Sequence, residues 1–218
     1  MLLQENLKKK PMYSLEKIRR AMDHKNYKFF ETGFYNVNII GVRNSETADK
    51  VTNKFDDKLT LSYMDEDNVW HYHEFDCTTD PGTHYMDDPI LEDDGTAILK
   101  PGQYRKSHKI RKHGGKYEAL GQQKPVTVYR DNNRDNIYDK NTENTDTGLF
   151  GINIHRATSK AGKKSTQVDR WSAGCQVIAS NDDFELFMKI CRKARDKWDN
   201  NFTYTLLESD DIPTSWLS

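Results

Sequence analysis

Apolar positions recur with two different periods along this chain. Behind Ser14, a residue type suited to a helix N-cap, Leu15, Ile18 and Met22 repeat at helical spacing and predict a short amphipathic helix over about 14–25. From Phe34 the period shortens. FYNVNIIGV (34–42) reads as a strand, with Gly41 marking a bulge or a close approach. LTLSYM (59–64) and VWHYHEF (69–75) alternate on either side of DEDN, the pattern of a hairpin. TAILKPGQY (96–104), PVTVYR (125–130), GINIH (151–155) and NFTYTLL (201–207) add further strands. Near the C-terminus the helical period returns. Ser180 and Asp183 resemble a capping box, and Phe184, Phe187, Cys191, Ala194 and Trp198 follow at steps of three and four.

Between these elements lie polar stretches. Residues 1–13 read as a basic, frayed or partner-docked terminus. TTDPG (78–82) is a turn, followed by an acidic loop through Asp94. Residues 131–148 predict a long exposed loop, and 158–167 a second, mobile one. No internal repeat and no linker between folded units is visible. The expected class is mainly β (α+β): an N-terminal tail and short helix over 1–30, then a single domain over 31–218.

The 218 residues suffice for one core without a disulfide or metal staple. Thirty-three basic and 34 acidic side chains nearly cancel, which argues against a polyelectrolyte that coats nucleic acid or an anionic membrane. No apolar run reaches the length of a membrane span, and the residues after Met1 lack the core of a secretory signal. Cys77, Cys175 and Cys191 are odd in number and widely spaced, which fits neither a disulfide framework nor a CxxC metal motif.

Few residues offer chemistry. His71 and His73 share a strand face but lack further ligands at zinc spacing. DNNRDN (131–136) lacks the glycine and terminal glutamate of a calcium loop. No metal or cofactor is therefore expected. His108 and His113 lie in the basic run RKSHKIRKHGGK (105–116), which reads as a solvated hairpin or an anionic-ligand patch. Cys191 falls on the apolar stripe of the last helix and Cys77 at a strand end, so both read as structural. Cys175 differs. It follows the small-residue turn Ser172-Ala173-Gly174, where backbone N–H groups can face a developing oxyanion. A thiol needs a base or a positive charge nearby to act as a nucleophile, and His155, at the end of GINIH, is the best base available. From the residues alone, a Cys–His dyad and a buried structural cysteine both remain open.

His155, a gap of sixteen residues and then Ser172-Ala173-Gly174-Cys175 resemble the signature of the L,D-transpeptidase catalytic domain. TTDPG and TAILKPGQY resemble that family's upstream elements, so the likeness covers about residues 75–195. The resemblance implies a β-sandwich-like domain, with the N-terminal helix and the C-terminal amphipathic helix added to it. It implies an enzyme that cleaves peptidoglycan stem peptides through a cysteinyl thioester. Carried over, Cys175 is the nucleophile and His155 its base. The N–H groups of Gly174 and Cys175 form the oxyanion hole, and Ser172 holds the turn or contacts substrate. Two positions depart from the signature: Ala173 replaces its histidine, and Gln176-Val177 replaces a hydrophobic residue and Asn or Arg. Arg156, Arg170 and Gln176 are then the expected substrate-binding residues. KPGQYR, YRDNNRD, FGINIHRA and RWSAGCQVIA also resemble a divergent set of phage proteins. That likeness implies a lysis enzyme (an endolysin) or a virion-associated wall hydrolase or transferase. Such a protein is made in the host cytoplasm, acts at the bacterial cell wall and meets other virion proteins through its N-terminal segment. The alternative expectation is a non-catalytic virion or wall-binding module on the same fold.

Overall fold

The hairpin predicted around DEDN is the widest piece of regular sheet. Strand β2 (Asp57–Met64) pairs antiparallel with β3 (Trp70–Thr78) over eight residues, from Asp57↔Cys77 to Met64↔Trp70. The computed structural model that contains it describes residues 11–47, 49–90, 93–212 and 215. Helix α1 (Leu15–His24) and strand β1 (Asn38–Arg43) precede the hairpin. After it come α2 (Thr83–Asp87), β4 (Thr96–Leu99), β5 (Gly102–His113), β6 (Tyr117–Gln122), β7 (Val126–Asp131) and β8 (Thr145–Gly148). The chain ends with β9 (Ile154–Arg156), β10 (Gln176–Ile178), α3 (Asn181–Lys197) and β11 (Phe202–Glu208).

The class is mainly β, as expected, but the arrangement is not a two-sheet sandwich. Eight strands close into a barrel in the order β1-β11-β5-β6-β9-β10-β3-β2, beside a small sheet β4-β7-β8. Two parallel pairings remove the edges that a sandwich would leave. β1 lies along β11 (Ile39↔Tyr204 to Arg43↔Glu208), and the three-residue strands β9 and β10 lie side by side. Closure of this kind satisfies backbone groups that would otherwise template aggregation. Pro101 splits TAILKPGQY between the two sheets. Lys100 N–H still bonds to Thr127 O, whereas Pro101 has no N–H to continue the ladder, and the chain crosses into β5.

The two longer helices, α1 and α3, pack against residues on opposite faces of the barrel strands. Ser14 caps α1 by accepting the Lys17 N–H. Ile18, Ala21 and Met22 then bury against Ile40, Val42 and Leu207. The intervening Ile39 faces the other way, into the main core with Leu59, Leu61, Phe75, Tyr204 and Leu206. Helix α3 supplies Phe184, Phe187, Met188 and Cys191 to that core, and the Phe187 ring meets Phe75 edge-on at 6.2 Å. Its Ser180 cap accepts the Asp183 N–H. Trp198 does not extend the apolar stripe, because the helix ends at Lys197. Its indole instead lies on Gly33, where a Cβ would sit 2.3 Å from the ring.

The polar stretches are more ordered than expected. Of residues 131–148, the last four form β8 against β7. The 158–167 loop is pinned to the start of α3: Gly162 N–H bonds to the Asp182 carboxylate and Ser165 N–H to Ala179 O. The predicted tail lies, over residues 1–10, outside the described residues. The N–H groups of Met12 and Tyr13 bond to the Glu74 carboxylate. Residues 91 and 92 of the acidic loop are likewise outside the described residues. Among the described residues no helix is long and apolar enough to cross a membrane.

The largest buried charge sits at the end of β1. Arg43 is fully buried, and its guanidinium donates to Thr79 Oγ1, Thr79 O and Leu99 O. Asp80 approaches to 2.9 Å as an ion pair rather than an aligned hydrogen bond. Asp57 lies close by and accepts N–H bonds from Asn44 and Thr79. Burial first, and then the Asp80 charge, push its carboxyl up to about 6. Phe187→Ala should cost roughly 3–5 kcal/mol as a core truncation. Arg43→Met should cost a similar ~3–5 kcal/mol, because Asp80 and two carbonyls lose their donor in the interior. Urea unfolding midpoints of both variants check this.

Candidate functional site

Cys175 and His155 lie on or next to adjacent strands because β9 and β10 are parallel neighbours. Their register pairs Gln176 with Ile154 and Val177 with His155, so Cys175 falls beside Asn153. Alternation then puts Asn153, His155, Cys175 and Val177 on one face. Cys175 and His155 are diagonal neighbours, about 8 Å apart at Cα for ideal strand spacing, a span their side chains can close. The thiol is half-buried. It receives the Asn153 N–H at 3.5 Å and donates to Gly151 O at 3.3 Å. In this state its hydrogen bond runs to a carbonyl and not to the imidazole.

The imidazole is oriented from two sides. His155 Nδ1 lies 3.0 Å from Arg156 O. A carbonyl only accepts, so Nδ1 carries the proton and Nε2 keeps its lone pair. The ring stacks on His113, from the β5–β6 hairpin, at 4.3 Å. Burial first, and then the His113 charge, lower the His155 pKa to about 4. Burial raises the Cys175 thiol to about 11, against a small opposing effect of the Asn153 N–H. At neutral pH the pair is therefore thiol and neutral imidazole. No preformed thiolate is therefore present, and attack by this sulfur would require proton transfer to a base.

The turn before Cys175 is built by its own side chains. Ser172, fully buried, accepts the Gly174 N–H at 3.1 Å and donates to Cys175 O at 2.8 Å. Of its two expected roles, these bonds and its burial are those of a residue that holds the turn. The same bond corrects the oxyanion expectation: the Gly174 N–H is spent on Ser172, leaving the Cys175 N–H as the donor of that pair the turn does not use. Gly174 has φ +113°, and a Cβ there would lie 2.2 Å from Ala97 O. From below, Gly82 N–H bonds to Ser172 O at 2.9 Å, so TTDPG clamps the cysteine turn.

The expected substrate-binding residues fare less well. Gln176 is buried; it accepts the Tyr204 hydroxyl and donates to Gly174 O and Thr79 O, which makes it a core bridge. Arg156 is tied to Asn181 and Glu185 and lies over the Tyr117 ring at 4.2 Å. Arg170 is exposed on the short turn 169–171. Residues that the sequence reading passed over occupy the site instead: Asn153, Gly151 and Tyr117, together with His113, read only as part of a basic run. Two cavities lie nearby, one reaching Ala173 of the turn and the other reaching Asn153 and His113. The first, of about 230 Å³, is lined by Ala97, Arg130, Phe150 and Ala173 among others. The second, of about 290 Å³, is lined by Arg111, Lys112, His113, Gly114, Gly121 and Asn153.

The remaining histidines have structural roles. His71 pairs with Asp65 and stacks on Tyr63, and His73 stacks on Phe75. In the run 131–136, the Asn133 side chain bonds to the Asp135 and Asp139 carboxylates. No group of three or more metal-ligating side chains occurs among the described residues. Comparisons with protein-family models, curated proteins and solved structures found no match to this chain.

His108 props the site from behind, bonding to Ile152 O through Nε2 and to Ser107 Oγ through Nδ1. Burial lowers its pKa to about 4 from 6.5. The unfolded chain takes up a proton below pH 6.5 that the folded protein refuses, so stability should fall as pH drops from 6.5 to about 4. His108 alone should account for up to about 3 kcal/mol of that loss. Asp57, whose pKa is raised, acts in the opposite direction over part of the range. Urea midpoints of wild type and His108→Gln between pH 7 and 4 isolate the histidine: the variant should lose less stability on acidification.

Proposed function

We propose that the chain is a cysteine-dependent enzyme acting on peptidoglycan stem peptides through a thioester, on an L,D-transpeptidase-like domain. The observation that carries this reading is the parallel β9–β10 pair. It sets a tautomerically fixed His155 diagonal to Cys175, at the end of a turn only glycine can make. A scaffold protein has no use for that combination. As substrate enters, the Cys175 thiol turns from Gly151 O to His155 Nε2. The sulfur attacks the peptide carbonyl as its proton passes to Nε2. The carbonyl oxygen becomes an oxyanion facing the Cys175 N–H. The C–N bond then breaks, and the amine leaves with the proton from His155. Water or a second amine attacks the thioester with His155 again as base, which makes the enzyme a hydrolase or a transferase. The phage-type strings favour hydrolysis, by an endolysin or a virion-associated protein acting at the host wall.

A second reading is a wall-binding or virion module that keeps the fold without turnover. It is favoured by one observation: the thiol is held by Gly151 O with its pKa raised, not lowered. Intact-protein mass spectrometry after incubation with purified muropeptides, and separately with a carbapenem, decides between them. The enzyme should carry a covalent adduct on Cys175 that is absent from Cys175→Ala, and His155→Gln should slow its formation by about 10² or more. A well-folded protein with no adduct from either reagent supports the binding module.

A further inference from the structure

Trp198, just past the C-terminal end of α3, is exposed and yet fixed. It keeps 57 % of its surface in solvent. Its indole N–H donates to Phe34 O at 2.9 Å, and the ring lies against Gly33, where no Cβ would fit. The ring borders a cavity of about 220 Å³, with Phe30 and Tyr35 as further aromatic lining. Helix α3 spans 17 residues, about 25 Å, between this cavity and the end that follows β10. The cavity is therefore remote from the Cys175 thiol.

The backbone around this cavity is unusual. Among the described residues eight that are not glycine have positive φ, and five of these are Asn or Asp, which adopt that region readily. The others are Tyr35 (φ +56°), Lys106 (φ +52°) and Arg134, and the first two both line the cavity. Lys106 sits in a bulge. The β11–β5 pairing steps from Phe202↔His108 to Tyr204↔Tyr104, so residues 105–107 lie opposite Thr203 alone. Bulges of this kind re-aim side chains, here those of Arg105 and Lys106. Both outliers are held in place: Thr203 Oγ1 accepts the Lys106 N–H, and Tyr35 stacks on Tyr63 at 4.8 Å while its hydroxyl accepts from Lys193. Strain kept by surrounding contacts clusters at binding sites.

The rim of the cavity mixes donors and acceptors. Arg105, whose guanidinium lies over the Phe30 ring at 5.1 Å, and Lys106 are donors. Asp199 is an acceptor, 3.8 Å from the Lys106 ammonium. Two amides are each half used. Asn36 donates to Thr32 O, which leaves its Oδ1 as an acceptor, and Asn201 Oδ1 accepts from Gln123, which leaves its amide N–H groups as donors. An anion calls for donors alone, and an apolar ligand would strip water from these groups without replacing it. A ring with an apolar C–H face and an edge of hydroxyls, each donor and acceptor at once, matches both the indole and the mixed rim. An apolar cavity of roughly 150 Å³ holds a benzene ring, so the space here suits one six-membered sugar ring.

We propose that this cavity is a saccharide-binding site, with Trp198 as the stacking platform for a neutral pyranose ring. The inference goes beyond the function proposed above and does not rest on it.

The test is calorimetric binding to the full-length protein, with the indole N–H resonances followed by NMR. The probes are a tetramer of N-acetylglucosamine, a tetramer of glucose, and inorganic polyphosphate. A neutral tetramer should bind and shift the Trp198 indole resonance, identified by its loss in Trp198→Ala; the tetramer that binds tells N-acetylated from plain sugars. Trp198→Ala should weaken binding about tenfold or more, and Trp198→Phe should keep part of it. Lys106→Gly, which suits the positive φ, should weaken it about fivefold with no loss in the urea midpoint. Cys175→Ala should bind as the wild type does. No binding of either tetramer, or binding that survives both Trp198→Ala and Lys106→Gly, would overturn the site. Polyphosphate bound more tightly than the tetramers, through Lys106, would overturn the neutral-sugar assignment in favour of an anionic polymer. Sugar binding without a Cys175 adduct removes only the enzyme reading, whereas an adduct without sugar binding removes only this site.

Discussion

A single buried guanidinium ties the β-barrel to the cysteine turn. Arg43 leaves β1 and binds the carbonyl of Thr79 beyond β3, the carbonyl of Leu99 at the end of β4, and the Asp80 carboxylate. These groups belong to the turn after β3 and to the small sheet, so one side chain joins both to the barrel strand β1. Burying an arginine is expensive, and the interior returns that expense only while each donor and acceptor stays in place. The constraint therefore fixes geometry more than it adds stability. Thr79, held by Arg43, also receives the Gln176 amide, and the same turn ends at Gly82, whose N–H holds Ser172. Gly82 admits no side chain, since a Cβ would lie 2.1 Å from Asp169 O. From Arg43 to Cys175 the chain of contacts is polar, short and without slack.

The same economy holds within the cysteine turn, where most polar groups are already committed. Ser172 and Gly174 satisfy each other, Gln176 bridges Tyr204 to the turn, and the thiol rests on Gly151 O. The 148–153 segment on the other side is held as firmly: the Phe150 and Ile152 N–H groups bond to Gln122 Oε1, Gln122 Nε2 donates to Gly148 O, and the Gln122 and Gln176 N–H groups bond to Asn153. Gly151 itself is exposed, with φ +74° and nothing within reach of a Cβ.

Local features were legible in the sequence because they depend on local physics. The Ser14 and Ser180 caps, the β2–β3 hairpin and the face of α3 follow from spacing alone. The proximity of His155 and Cys175 followed from their order and from the strand-like residues around each. The barrel was not legible, because its closure rests on parallel pairs between strands far apart in sequence or only three residues long. β8 was hidden in a run of Thr, Asp and Gly that has no apolar alternation and gains its order from β7. Gln176 was expected to bind substrate from its place beside Cys175 in the resembled signature; its burial depends on a tyrosine from β11, 28 residues away.

The same reasoning bears on the basic hairpin. As a sequence, six cations within twelve residues describe a solvated surface, and most of them are one. Arg111 is among the exposed ones, yet its side chain runs over the β6 backbone at Gly121, ten residues along the chain. Nothing in the spacing of the run couples those two residues; the register of β5 on β6, which sets Gly121 opposite Lys109, does. Charge along a strand is readable from the sequence, whereas what each charge lies against is decided by the pairing partner.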